Sequence, residues 1–433
     1  MAEFDSPQSR NEAILQNILG ADNVLLPPQS RNEAILQNIL GADNVLLPPQ
    51  SRIEELLMQL LEEWPVGPQE VPENDVTFYD YDGSIVASYT AAQFAELEEM
   101  PENPDHTDEG LTSQGWNWGL ADAKTYVAKY GKLNIGQMYV PTDGKTHVFI
   151  NIPEDDPSYE TTLYFGHTTA SGQTVIDWGD GSATETASGE NAAEHSHTYA
   201  NPGKYEVTLD TTIGALSIAG TNNSRSGTHF SGSGSYARNL TRIEGIRFST
   251  KVSIESNALA YCYALQSITI PEGVTSIESG AFRACYALQS ITIPEGVTSI
   301  MEYAFNSCYA LQSVTIPESV NNIGNYVFSS CNALQSVTIP ESVTNIGNYV
   351  FSSCNALQSV TIPEGVTSIG TYAFSYNYSI VAYHFKRNTP PTLNTYVFEG
   401  ISTDTVFYVP AASLNAYKTS TNWRNYASRM VAE

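Results

Sequence analysis

Apolar and polar positions along this chain follow three periods in turn. Near the N-terminus the apolar residues keep helical spacing. Ile14, Leu15, Ile18 and Leu19 make one stripe, and Ile35, Leu36, Ile39 and Leu40 repeat it. Each stretch predicts a short amphipathic helix. From about residue 132 alternation takes over, as in Tyr205-x-Val207-x-Leu209, which predicts strands with one buried face. From Leu265 to Phe374 a longer period dominates. Pro271, Pro294, Pro317, Pro340 and Pro363 recur every 23 residues, and so do Cys262, Cys285, Cys308, Cys331 and Cys354, the only cysteines. A fixed period of this size marks a solenoid, whose coils cannot bury their faces alone and gain a core by stacking.

The N-terminal helices are duplicated. Residues 8–28 and 29–49 are identical, and a diverged third copy begins at Gln50. Each copy opens with Ser-x-x-Glu (Ser9/Glu12, Ser30/Glu33, Ser51/Glu54), a capping box that satisfies orphan amides. Helices of about ten residues are marginal alone in water, so these stripes need a partner. Packing positions in a core diverge from one another, so identical copies favour reiterated docking. The eight apolar residues named above are the expected docking contacts, with self-association into a homo-oligomer as the alternative.

The expected fold class is multidomain and mainly β. Residues 1–63 carry the helices, and 64–75 form a Pro-rich acidic linker. Residues 76–131 form a small α+β domain with a turn at Asp82-Gly83, helices at Ala91–Glu99 and Leu120–Lys129, and Trp116 and Trp118 in its core. Residues 132–212 form a β-sandwich that opens with a hairpin over Gly136–Ile152 around Asp143-Gly144. A Gly/Ser/Asn-rich loop, 213–238, leads to the solenoid at 239–375, and 376–433 cap it.

Within one coil, Leu265, Ile268 and Ile270 point to the core, and Gln266, Ser267 and Thr269 to an open strand face or its margin. The cysteines share one phase of the repeat and form a column of stacked buried thiols. No CxxC and no Cys/His cluster suggests a metal. Tyr263, Tyr286 and Tyr309 form one ladder, and Tyr303, Tyr326, Tyr349 and Tyr372 another. Thr269, Thr292 and Thr315 belong to a Ser/Thr strip, and Glu272, Glu295, Glu318, Glu341 and Glu364 to a solvated acidic edge. Tyrosine offers a flat apolar body with a polar tip. Tyr263, Tyr286, Tyr309, Tyr303, Tyr326 and Tyr349, with the three threonines, are therefore the candidate ligand contacts.

The pattern I-P-x-x-V-x-x-I-x-x-x-A/V-F-x-x-C-x-x-L, from about Leu240 to Phe374, resembles the BspA-like (treponemal-type) leucine-rich repeats. Segments Thr389–Leu393, Val406–Pro410 and Ala416–Trp423 look like that family's C-terminal cap. Trp178-Gly179-Asp180-Gly181, His197-Thr198-Tyr199 and Pro202-Gly203 resemble a polycystic-kidney-disease-type (PKD) β-sandwich, which implies a spacer or contact module. The order of parts, from the repeated PQSRxExxLQxxL motif onwards, resembles prophage-encoded structural proteins of gut Firmicutes.

Charge and chemistry narrow the function. With 47 acidic and 19 basic residues the net charge is −28, which disfavours nucleic acid and anionic membrane surfaces. No apolar run is long enough to span a bilayer. The N-terminus lacks the basic region and apolar core of a secretory signal. The expectation is a chain made in a cytoplasm, or one whose export signal is missing from this sequence. There is no phosphate loop, GxSxG elbow or HExxH. Asp80 and Asp82 read as turn formers, and His195 and His197 as strand-end residues. No catalytic, cofactor-binding or metal residues are expected, and no enzyme. The expected function is a phage or prophage tail-fibre or baseplate-associated protein in the virion. Its N-terminal repeats would bind other tail proteins, and its solenoid a host-surface glycan or protein. The alternative is an extracellular adhesin of the BspA-like class; an intracellular scaffold is a third class.

Overall fold

The computed structural model describes residues 75–81, 84–154, 159–218 and 242–433. The expected docking helices, with Ile14, Leu15, Ile18, Leu19, Ile35, Leu36, Ile39 and Leu40, lie outside the described residues. So do residues 64–74 of the linker and most of the 213–238 loop.

The small domain is a four-stranded sheet in the order β2-β1-β4-β3. Its strands are β1 (Val76–Tyr79), β2 (Ile85–Tyr89), β3 (Leu111–Trp116) and β4 (Leu133–Pro141). Helix α1 spans Ala91–Ala95, opened by a capping box between Thr90 and Gln93. It is shorter than the expected Ala91–Glu99, because Glu96, Glu98 and Glu99 would set carboxylates at the negative end of the helix dipole. Helix α2 (Leu120–Tyr130) runs between Gly119 and Gly131. Phe78, Phe94, Trp118, Tyr126, Val127 and Ile135 form the core.

The expected hairpin over Gly136–Ile152 does not form. The Asp143-Gly144 turn is present, but its two arms enter different sheets. β4 pairs parallel with β1, Val76 facing Leu133, and antiparallel with β3. Helix α2 supplies the crossover that a parallel pair requires. The small domain therefore runs to Pro141, ten residues beyond the boundary at 131.

The sandwich and the solenoid share one core. β5 (Thr146–Ile152), β7 (Gln173–Asp177), β8 (Glu185–Ser188) and β10 (Gly203–Ile213) form one sheet. β6 (Glu160–His167), β9 (Ala193–Thr198) and β11 (Leu216–Ile218) form the other. β11 lies in the stretch expected as loop; its register against β6 is set by non-local pairing. The first coil then extends both sheets: β12 (Ile243–Arg247) pairs with β5, and β13 (Val252–Ile254) with β11. β14 (Ser267–Thr269) follows β12 in parallel. One buried cluster runs from Val148 to Met430 without a break. The sandwich thus closes the open N-terminal end of the solenoid.

Each later coil adds a strand to two stacked ladders. Ser290–Thr292, Ser313–Thr315 and Ser336–Val337 pair in parallel on one side. On the other, Ser276–Ile277 through Thr392–Leu393 do so. The expected cap contains further coil strands. Ala382–Phe385, Val406–Val409 and Met430–Ala432 continue the first side. Trp423, 1% exposed, seals the end and donates its Nε1–H to Pro391 O at 2.7 Å.

Candidate ligand-binding surface

The turn of each coil contains a left-handed residue. Asn257, Gly280, Tyr303, Tyr326, Tyr349, Tyr372 and Tyr396 hold φ between 55° and 65° at equivalent positions. Asn and Gly tolerate this region, whereas other L-residues lose roughly 1–2 kcal/mol. Where Tyr stands there, the rings stack. Their centroids are 4.8 Å apart for Tyr303–Tyr326, 4.5 Å for Tyr326–Tyr349, 4.9 Å for Tyr349–Tyr372 and 5.1 Å for Tyr372–Tyr396. Such pairs contribute about 0.5–1.5 kcal/mol each beyond burial, which offsets the backbone cost. Arg283 covers the first ring at 5.3 Å. The other ladder stacks likewise, Tyr263–Tyr286 at 4.6 Å and Tyr286–Tyr309 at 4.7 Å. All six candidate tyrosines are half-buried.

The three candidate threonines are arranged differently. Thr269 and Thr315 are 5% and 2% exposed, and Thr292 is half-buried. The strand face expected to be open is covered by the small domain of the same chain. β4 lies on it so closely that a β-carbon on Gly136 would sit 2.4 Å from Thr292 Oγ1 and 2.6 Å from Thr315 Oγ1. Tyr126 Oη donates to Ile339 O at 2.7 Å, and Asn117 Nδ2 to Ile293 O at 3.3 Å. Asn134 donates its backbone N–H to Thr338 Oγ1 and its Nδ2 to Ser336 Oγ. Ser290 Oγ donates to Tyr81 O.

The acidic edge is also partly engaged. Lys129 Nζ lies 2.9 Å from Glu341 and 3.1 Å from Glu364. At the other side Arg247 pairs with Glu109 at 2.9 Å. Glu109 also bonds His106, whose second ring nitrogen is 2.7 Å from Asp80. Burial opposes charge on His106, but its bonds to Asp80 and Glu109 raise its pKa overall. Asp80 is thus a structural partner, as a turn-forming reading of the acidic pair implies; Asp82 lies outside the described residues. On the sandwich, His197 stacks on Trp178 at 5.2 Å and bonds Asp180, and His195 bonds Glu185. Among the described residues no group of three His, Cys, Asp or Glu could hold a metal ion.

With one face closed, the second sheet is the open one. Thr275, Thr298, Asn321, Asn322, Thr344, Asn345, Thr367 and Thr392 are exposed along it. Tyr303, Tyr326, Tyr349 and Tyr372 each follow the Ile of that sheet by three residues, so the Tyr303 ladder borders this polar face. The recurring V-T-S-I and V-T-N-I segments carried the signal, but nothing local ranks one strand face above the other.

Residues 252–381 match the BspA type leucine rich repeat region, in six copies. The leucine-rich repeat array is also similar to solved structures. A leucine-rich repeat protein of T. pallidum is 28% identical, with TM-score 0.30, over 33% of this chain and 78% of that one. A leucine-rich cell surface protein of Faecalibacterium prausnitzii is 27% identical, with TM-score 0.26, over 41% of this chain and 66% of that one. No curated protein matches the chain.

Proposed function

We propose that this chain is a surface-associated binding protein of the BspA-like adhesin class, with its leucine-rich repeat solenoid as the binding element. One observation carries the reading. The repeats that match this family leave a Thr/Asn face bordered by the Tyr303–Tyr326–Tyr349 ladder open, while the chain covers the opposite face itself. Flat rings beside hydroxyl and amide groups suit a host-surface glycan or protein. The role is binding rather than catalysis. We take the sandwich as a PKD-like spacer and the N-terminal repeats as the mounting segment. Among the described residues no helix is long and apolar enough to cross a membrane. The tail-fibre reading has no supporting observation beyond the order of sequence segments.

The test applies labelled full-length chain to host cells. Saturable binding is expected, reduced by the double substitution Tyr326→Ala/Tyr349→Ala in protein whose circular dichroism is unchanged. Absence of binding, or equal binding by the folded double variant, overturns the reading. Recovery of the chain with purified virions and not with a cell-surface fraction would reinstate the tail fibre.

A further inference from the structure

Repetition explains a ladder without any ligand, because each coil copies the residue of the last. An exposed residue that breaks the ladder has no such explanation. Two such breaks occur together. Ser353 and Asn355 of one coil become Tyr376 and Tyr378 of the next. These tyrosines are 40% and 55% exposed. Tyr376 holds φ 59° where Ser307, Ser330 and Ser353 hold the same left-handed backbone, so the larger side chain relieves no strain. Its ring lies against Gly400, where a β-carbon would come within 2.6 Å of Tyr376 Cδ1. Gly400, at φ 72°, therefore leaves the space that holds this ring. Tyr396, 58% exposed, ends the neighbouring ladder by stacking on Tyr372. The Tyr376 N–H donates to Glu399 O at 2.7 Å and the Tyr372 N–H to Thr395 O at 3.2 Å, so the segments that hold Tyr376 and Tyr396 are neighbours in one patch.

The first coil contains the same Tyr-x-Tyr pattern at Tyr261 and Tyr263, but those rings are engaged. Arg283 covers Tyr261 at 5.7 Å, and Tyr263 stacks on Tyr286.

We infer that Tyr376, Tyr378 and Tyr396 form a platform for a neutral glycan at the C-terminal end of the repeat array. The inference rests on the adhesin reading and names the ligand class of that binding element. Rings held by packing bind with little loss of side-chain freedom. Exposed Ser379, Asn394 and Thr395 add hydroxyl and amide partners close by in sequence. Ligand charge is decided by what surrounds the rings. Glu399 and the net charge of −28 oppose an anionic sugar. Arg429 is committed to Ser402 O at 2.7 Å and to the rings of Phe407 and Tyr426. A basic protein surface would require more carboxylates than Glu399 alone.

The test uses full-length chain on immobilised neutral tetrasaccharides of galactose, mannose, glucose and N-acetylglucosamine, with sialylated and sulfated counterparts. The variant Tyr376→Ser/Tyr378→Asn recreates the preceding coil and keeps its packing, which a melting curve checks. Binding to at least one neutral member is expected, weakened about tenfold in this variant and unchanged in Lys204→Ala, whose side chain is 75% exposed on the sandwich. The inference is overturned if no neutral member binds, if only charged members bind, if the variant binds equally, or if Lys204→Ala loses as much. Undiminished host-cell binding by the variant would sink the platform and leave the adhesin reading standing. Neutral-glycan binding lost in the variant, with no cell binding at all, would keep the platform and sink the adhesin.

Discussion

The backbone N–H of Cys354 donates to Asn377 Oδ1 across a coil boundary, at 2.8 Å. Asn377 stands one period after Cys354 and takes over its task. In the array four of the five thiols donate to a carbonyl of the coil before: Cys285 to Leu259, Cys308 to Phe282, Cys331 to Phe305 and Cys354 to Phe328, at 3.2–3.3 Å. Asn377 Nδ2 donates to Phe351 O at 3.0 Å in the same way and to Phe374 O besides. An amide, with two donors and an acceptor, closes a column of weak thiol donors.

Asn377→Ala should therefore cost more than removal of any one thiol. It leaves the Cys354 N–H and two carbonyls unpaired in a fully buried site, each worth about 1–3 kcal/mol. The expected loss is roughly 3 kcal/mol or more, read from the midpoint of chemical denaturation. Asn377→Cys restores the donor of the earlier coils and should recover part of it. A loss below about 1 kcal/mol for the alanine variant would contradict this account.

Alkaline pH should destabilise the array through its thiols. Burial pushes Cys354 from 9.0 up to about 12, and raises Cys285, Cys308 and Cys331 as well. Below pH 9.0 both the folded and unfolded chains keep these protons, and stability is unaffected. Above it the unfolded thiols ionise while the folded ones cannot, so stability falls as pH rises from 9.0 towards about 12. The denaturation midpoint should drop through that window. A thiol-specific reagent at pH 8 should leave the native array unmodified and react with it only in denaturant.

The clasp of the small domain on the strand face should fail at Gly136. Gly136→Ala drives a methyl into the Thr292 and Thr315 hydroxyls, and β4 must shift, at about 1–3 kcal/mol. Tyr126→Phe removes the bond to Ile339 O, costing about 1 kcal/mol. Limited proteolysis should cut the small domain faster in the first variant than in the second. Equal cutting in both would mean that the close approach at Gly136 is not what holds the face closed.

The solenoid was legible because its signal is local and repeated. Leu265, Ile268, Ile270, Phe282 and Cys285 each recur at a fixed phase, and all are buried. Trp178, Tyr199 and His197 were legible as a motif and do come together. The partner of β4 was not legible. Alternation shows that Leu133–Pro141 is a strand, but not that Val76 lies opposite Leu133. Nor could the acidic edge be recognised as an attachment line, because Lys129 reaches Glu341 and Glu364 from more than two hundred residues away.

By itself, then, the sequence determined the coil: its period, its buried columns and its Tyr ladders. These follow from side chains whose neighbours are one coil away and identical in kind. Only the tertiary structure decided which face of the solenoid meets solvent. Thr269, Thr292 and Thr315 look as open as Thr298 and Thr344 when read in the chain. The difference is a domain from residues 75–141 that packs on the first set and leaves the second exposed. Such docking depends on the fit of two surfaces distant in sequence, and neither contains a local pattern that names the other.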